Sequence, residues 1–195
     1  MSITTDKIVR RGIAAASAAL LGAGLCAGVL AQGYPASYGF GSPASAGEIA
    51  AVDIDAMPDG RGLPPGEGDY ATGKTLYMAK CAACHAPDLS GIGEVGGDKL
   101  IGGRGSLASG KPVKTIESYW PYATTVFDYV KRAMPFNEPG SLSDDEVYAI
   151  TAYVLGEANV IGKDQKINAT TLPKVVMPNR EGFVPDPRPD VRNYN

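Results

Sequence analysis

The sequence predicts an all-α domain carried between two long irregular arms. Three observations predict it. Helical periodicity with capping signals recurs between about residues 69 and 156, and no βαβ pattern interrupts it. Gly (25) and Pro (15) are frequent among the 195 residues yet sit mostly outside those periodic stretches, so the flanks are irregular. Apolar residues make up 44% of the chain, enough for one core of ordinary size.

Residues 1–31 read as a secretory signal. Lys7, Arg10 and Arg11 precede an apolar run from Gly12 to Leu30, and Val29-Leu30-Ala31 is a small-residue cleavage site before Gln32. An uncleaved anchor is the alternative, since about 20 apolar residues can span a bilayer. With the signal removed, no membrane span is expected. Residues 32–68 are rich in Gly, Pro, Ala and Ser and form an N-terminal extended arm, with a short helical stretch near Ala46–Ile54 and turn signals at Pro58-Asp59-Gly60 and Pro64-Pro65-Gly66.

The first strong helix opens at Asp69, a good N-cap, and carries Gly73, Leu76, Tyr77 and Lys80. Gly73 costs about 1 kcal/mol relative to Ala in a helix, so a second helix is expected to cross close there. The helix runs into Cys81-Ala82-Ala83-Cys84-His85. Residues 91–118 are Gly-rich and irregular. Trp120–Ala133 has helical spacing of Tyr122, Val126, Phe127, Tyr129 and Val130, and Pro135 ends it at Met134. Ser143-Asp144-Asp145-Glu146 is a capping box for a last helix reaching about Leu155, with Gly156 as its stop. Residues 157–195 read as a C-terminal extended tail. Its apolar patch, Leu172–Pro178, needs cover from the domain or from a partner.

Cys81, Cys84 and His85 carry the chemistry. Thiols at i and i+3 lie on one side of a helical turn, as two thioether bonds to one haem require. An imidazole follows at once, placed to bind the iron from the proximal face. Zinc is disfavoured because the chain has three cysteines and one histidine, and Cys26 leaves with the signal; a structural site wants four ligands. A thioredoxin-type disulfide lacks its βαβ context. One covalent haem c is therefore expected.

With no second histidine, a methionine thioether is the expected sixth ligand. Met57, Met134 and Met177 all precede proline. Met134 is chosen because it ends a helix just before the capped last helix, whereas the other two lie in arms; an open sixth site is the alternative. A carbonyl near Pro87 is expected to accept the His85 Nδ1 proton and fix the tautomer. Arg104 and the indole N–H of Trp120 are the expected donors to the haem propionates.

These features together resemble class I cytochromes c over about residues 69–156. The resemblance implies that fold, with the first and last helices crossing near Gly73, Tyr77 and Tyr153. A narrower resemblance, to the cytochrome subunits of sulfane dehydrogenases, covers about residues 38–191. It rests on Tyr38-Gly39-Phe40-Gly41, Gly62-Leu63-Pro64-Pro65-Gly66, Tyr119-Trp120-Pro121-Tyr122-Ala123-Thr124-Thr125 and Arg132-Ala133-Met134-Pro135-Phe136. It implies an electron-transfer subunit in periplasmic sulfur oxidation. The donor would be a molybdenum-cofactor oxidoreductase subunit, and the acceptor a downstream cytochrome or oxidase.

No nucleophile–base pair is present, and the single histidine is reserved for iron, so no catalytic residues of the chain's own are expected. The alternatives are a mobile electron shuttle and a haem enzyme or sensor with an open site. Net charge is −3; removing Lys7, Arg10 and Arg11 together with Asp6 takes it to −5, which argues against a nucleic-acid partner. Lys99, Arg104, Lys111 and Lys114, with Lys131 and Arg132, are expected to form a basic collar near the haem edge.

Overall fold

The computed structural model describes residues 38–186. The predicted signal, residues 1–31, lies outside them. Residues 38–45 belong to a separate N-terminal unit and are exposed, without helix or strand. From Ala46 the chain forms one unit.

Its elements in order are helix α1 (Ala46–Val52), strand β1 (Glu67–Gly68), helices α2 (Tyr70–Lys80) and α3 (Ala82–His85), a 3-10 turn (Gly93–Val95), helices α4 (Ala123–Ala133) and α5 (Asp144–Glu157), strand β2 (Ile167–Asn168) and a second 3-10 turn (Leu172–Lys174). Among the described residues no helix is long and apolar enough to cross a membrane.

α2 begins where its N-cap predicts: the Asp69 carboxylate accepts the Thr72 N–H at 2.8 Å. α5 opens on the full capping box. Ser143 Oγ accepts from the Glu146 N–H, and the Glu146 carboxylate accepts the Ser143 N–H at 2.8 Å. The two helices cross in contact. A Cβ on Gly73 would lie 1.8 Å from the Ala149 carbonyl oxygen, and one on Gly68 would lie 2.0 Å from the Ala149 nitrogen. Tyr153 stacks between Tyr70 and Tyr77, at 5.2 and 5.1 Å between ring centroids. On the other side, Phe127 of α4 meets Tyr148 of α5 at 4.4 Å.

α5 departs from expectation in two ways. Helical spacing puts Val147, Ile150, Thr151 and Val154 on a single stripe, but every residue from Val147 to Gly156 is buried. The helix is the centre of the domain and is wrapped by α2, α4 and the two-stranded ribbon, so it has no solvent face along that length. Nor does Gly156 stop it. The helix continues to Glu157, and a Cβ on Gly156 would lie 2.8 Å from the Tyr70 ring. That glycine makes room for an aromatic; Asn159, at φ 52°, takes the left-handed position beyond the end.

The arms are not free extensions. β1 and β2 pair antiparallel with Glu67 opposite Asn168 and Gly68 opposite Ile167. Each strand is two residues long, too short for a period-2 pattern to announce it. The tail supplies Ile167, Leu172, Val175 and Met177 to the core, none more than 8% exposed. The predicted extended tail is thus corrected: to about Met177 it is part of the domain, because the domain itself covers the apolar patch. The end of the N-terminal arm is bound as well. Tyr148 Oη donates to the Pro64 carbonyl at 2.8 Å, the Ala56 N–H to Asp128 at 2.9 Å, and Leu63 packs on the core. α1, by contrast, buries no residue.

α4 starts at Ala123, later than the predicted Trp120. Tyr122 is extended and forms a β-bridge with Val176 of the tail, so a tertiary pairing occupies the backbone that would otherwise begin the helix.

Candidate haem site

α2 ends at Lys80 and the chain re-enters helix for one turn, α3. Cys81 caps that turn and Cys84 lies within it, both as unpaired cysteines. Cys81 is half-buried, and burial pushes its thiol up to about 11; Cys84 is exposed. The backbone here is closely held. The Cys84 and His85 N–H groups both reach the Cys81 carbonyl, at 3.1 and 3.0 Å, and the Ile92 N–H donates to the Cys84 carbonyl at 3.0 Å. A Cβ on Gly97 would sit 1.8 Å from the Cys84 oxygen, so the loop after α3 lies directly on the attachment turn.

His85 Nδ1 lies 2.7 Å from the Asp98 carbonyl oxygen. A carbonyl only accepts, so Nδ1 carries the proton and the Nε2 lone pair is left for iron. The expected acceptor near Pro87 is corrected by this contact. Pro87 sits in an exposed turn, and the loop from Gly91 folds back so that Asp98 reaches the ring instead. The tautomer is the one expected; only the residue that sets it differs.

Met134 is the C-cap of α4. Its N–H donates to Val130 O at 3.1 Å, and its own backbone is already extended (φ −122°, ψ 150°). Its side chain is half-buried and lies outside the core cluster. The other methionines are placed otherwise. Met57 is on a surface turn and 42% exposed, Met78 is on the outer face of α2, and Met177 is 1% exposed within the core.

Of the two expected propionate donors, Arg104 is given another task. Its Nε donates to Glu117 at 3.0 Å and its Nη2 to the Ala158 carbonyl at 2.8 Å. Glu117 also accepts the Gly102 N–H at 2.6 Å. The guanidinium therefore ties the Gly-rich loop to the end of α5. Trp120 is half-buried, edge-on to Tyr129 at 5.8 Å, and its indole N–H meets no acceptor among the described residues. The basic collar is reduced too. Arg104 pairs with Glu117, Lys131 with Asp144, and Arg132 with Asp128 and Asp55. Lys111 and Lys114 make no ion pair with an acidic side chain among the described residues, Lys99 acts only through its charge on Asp88, and Lys114 lies over the Tyr119 ring.

Sequence reasoning missed two residues. Tyr77 is expected only at the helix crossing, but its hydroxyl also shares its proton between the Ala86 carbonyl at 2.8 Å and the His85 carbonyl at 3.2 Å. Asp98 carries no local signal, because it acts through its backbone.

These residues fit a covalent haem. Two unpaired cysteines one turn apart stand beside a histidine whose Nδ1 is already bound, which leaves its Nε2 for iron.

Residues 70–157 match the Cytochrome c family model. A cytochrome c6 of Leptolyngbya boryana is 38% identical over 90 residues, which is 46% of this chain and 94% of that protein. The chain belongs to the cytochrome c family, and its cofactor is haem c, attached at the motif that Cys81 and Cys84 fit. Two thiosulfate dehydrogenases are also similar. That of Allochromatium vinosum is 31% identical over 111 residues, 53% of this chain and 38% of its own; that of Stutzerimonas stutzeri is 32% identical over 93 residues, 47% of this chain and 28% of its own. The chain thus spans well under half the length of either. Among solved structures, the sulfane dehydrogenase SoxCD of Paracoccus pantotrophus is similar at 46% identity and a TM-score of 0.71, over 78% of this chain and 74% of that one. The protein is an electron carrier of class I fold, related to these sulfur-oxidising systems.

Proposed function

We propose that this cytochrome is the electron-transfer subunit of a periplasmic complex in which a molybdenum-cofactor subunit oxidises a reduced sulfur compound. One observation carries the reading: the likeness to SoxCD extends over 78% of the chain, well beyond the residues 70–157 that the family model matches. A likeness of that extent takes in flanking segments that a small cytochrome such as the c6, matched by 46% of this chain, does not share.

In this reading His85 and Met134 would ligate the iron, and Cys81 and Cys84 would hold the ring. The haem would supply a one-electron store. Asp98 keeps the Nε2 of His85 unprotonated, and the Met134 thioether would favour the reduced state. The chain contributes no substrate chemistry. Electrons leave to a downstream cytochrome or oxidase. Export by the predicted signal places the complex outside the cytoplasm.

A mobile shuttle is the second reading, favoured by the 94% coverage of the small cytochrome c6. Pull-down of the native protein followed by metal analysis separates the two. Molybdenum co-purifying in fixed ratio with haem iron is the expected result. A protein that elutes alone, with iron and without molybdenum, overturns the complex.

A further inference from the structure

Ala86, the residue after His85, has φ 62° and ψ 154°. That region is essentially reserved for glycine, and an alanine stays there only where its surroundings impose it. Leu89, three residues on, is also at positive φ (60°) and is 1% exposed. Something holds this loop in shape, and the contacts show what it is. The Tyr77 hydroxyl, on a side chain 1% exposed, shares its one proton between the His85 and Ala86 carbonyls, the two that flank the Ala86 Cα, at 3.2 and 2.8 Å. The Tyr77 ring is itself fixed against Tyr153 in the α2–α5 crossing. The His85 carbonyl also accepts the Gly91 N–H at 3.0 Å, and from Gly91 the loop runs on to Asp98, which binds the imidazole.

We propose that the Tyr77 hydroxyl is a positioning group for the proximal histidine: by bonding both carbonyls it holds Ala86 in its glycine-like conformation, and so keeps the His85 imidazole aligned on Asp98 O. The chain of contact is continuous, from the helix crossing through one hydroxyl to the ring that faces the iron. The inference rests on the family's haem and is independent of any partner.

The test is solvent exchange of the His85 Nδ1 proton, followed by NMR in the reduced holoprotein, beside the reduction potential. Tyr77→Phe should speed that exchange about three- to tenfold, the equivalent of one neutral hydrogen bond, and should shift the potential. Tyr153→Phe is the control. It trims a hydroxyl from the same stack that makes no hydrogen bond among the described residues, and it should leave both readouts at wild-type values. Ala86→Gly added to Tyr77→Phe should bring the exchange back toward wild type, because glycine adopts the conformation unaided. Equal exchange in Tyr77→Phe and Tyr153→Phe would leave Tyr77 a packing residue only. If Tyr77→Phe does not assemble, the double variant decides. Recovery of holoprotein supports the clamp, and continued failure overturns it.

Discussion

The four methionines among the described residues occupy four different environments, and their variants should separate cleanly. Met134→Ala should abolish the weak far-red thioether-to-ferric-iron band and lower the potential. Met177→Ala should keep the band but destabilise the fold by about 2–5 kcal/mol, the usual cost of emptying a buried methionine site. Met57→Ala should do neither. Absorption spectra and denaturant titrations of the three proteins check this. Asp128 gives a pH prediction at the same scale. Burial works against its charge, but hydrogen bonds from Arg132 and from the Ala56 N–H, with the Arg132 charge, outweigh it and hold its pKa below the ordinary carboxylate value. The unfolded chain therefore binds this proton more readily. The stabilisation is complete above the unfolded pKa, roughly 4, and is lost as pH falls through the lower folded value. Asp128→Asn should be less stable at neutral pH, and its denaturation midpoint should fall less steeply between about pH 5 and pH 3.

At the scale of elements, the tail is the segment whose removal discriminates. A tail laid on a partner could be deleted without harm to the domain. Here Ile167, Leu172, Val175 and Met177 are core residues, and β2 is the strand that pairs with β1 among the described residues. Full burial of each such side chain contributes roughly 1.5–3 kcal/mol, so four of them rival the roughly 5–15 kcal/mol that holds a domain folded. Deletion of residues 160–195 should therefore cost folding and haem incorporation together. Val184→Ser, at a position 84% exposed, should cost neither. Holoprotein yield and thermal midpoints of the two variants measure the difference. The α2–α5 crossing is equally intolerant. Gly73→Val should prevent the close approach to Ala149, and a well-folded Gly73→Val protein would contradict the geometry described here.

Across the whole molecule, charge is distributed less simply than the sequence suggests. Three of the six cations expected around the haem edge are paired with neighbouring carboxylates, so any steering by this group would fall to Lys99, Lys111 and Lys114. Electron transfer to an acidic partner should slow as ionic strength rises, because exposed charges are screened beyond about 8 Å at physiological salt. Lys111→Glu with Lys114→Glu should slow the low-salt rate and leave the potential unchanged. Arg104→Gln belongs to a different class: it should loosen the Gly-rich loop from Glu117 and Ala158 and lower stability. Stopped-flow rates across a salt series, with thermal melts of Arg104→Gln, test the division.

What the sequence determined by itself is what local spacing and local backbone chemistry can carry. The two cysteines and the histidine, the Asp69 and Ser143 caps, the end of α4 at Met134-Pro135 and the close crossing at Gly73 were all legible. Each depends on residues a few positions apart, or on one glycine placed against its own helix's propensity. Only the tertiary structure decided the rest. Asp98 reaches His85 from 13 residues away through a carbonyl that every residue type possesses. Tyr77 looks like any core aromatic until its hydroxyl is placed. Gly156 reads as a stop but serves as room for Tyr70, and Arg104 reads as a free donor but is held by Glu117 and Ala158. The tail's apolar patch announced that it needed cover, while the surface that covers it is assembled from segments distant in sequence. Contacts of that kind leave no period and no composition behind, so they become visible only when the chain is folded.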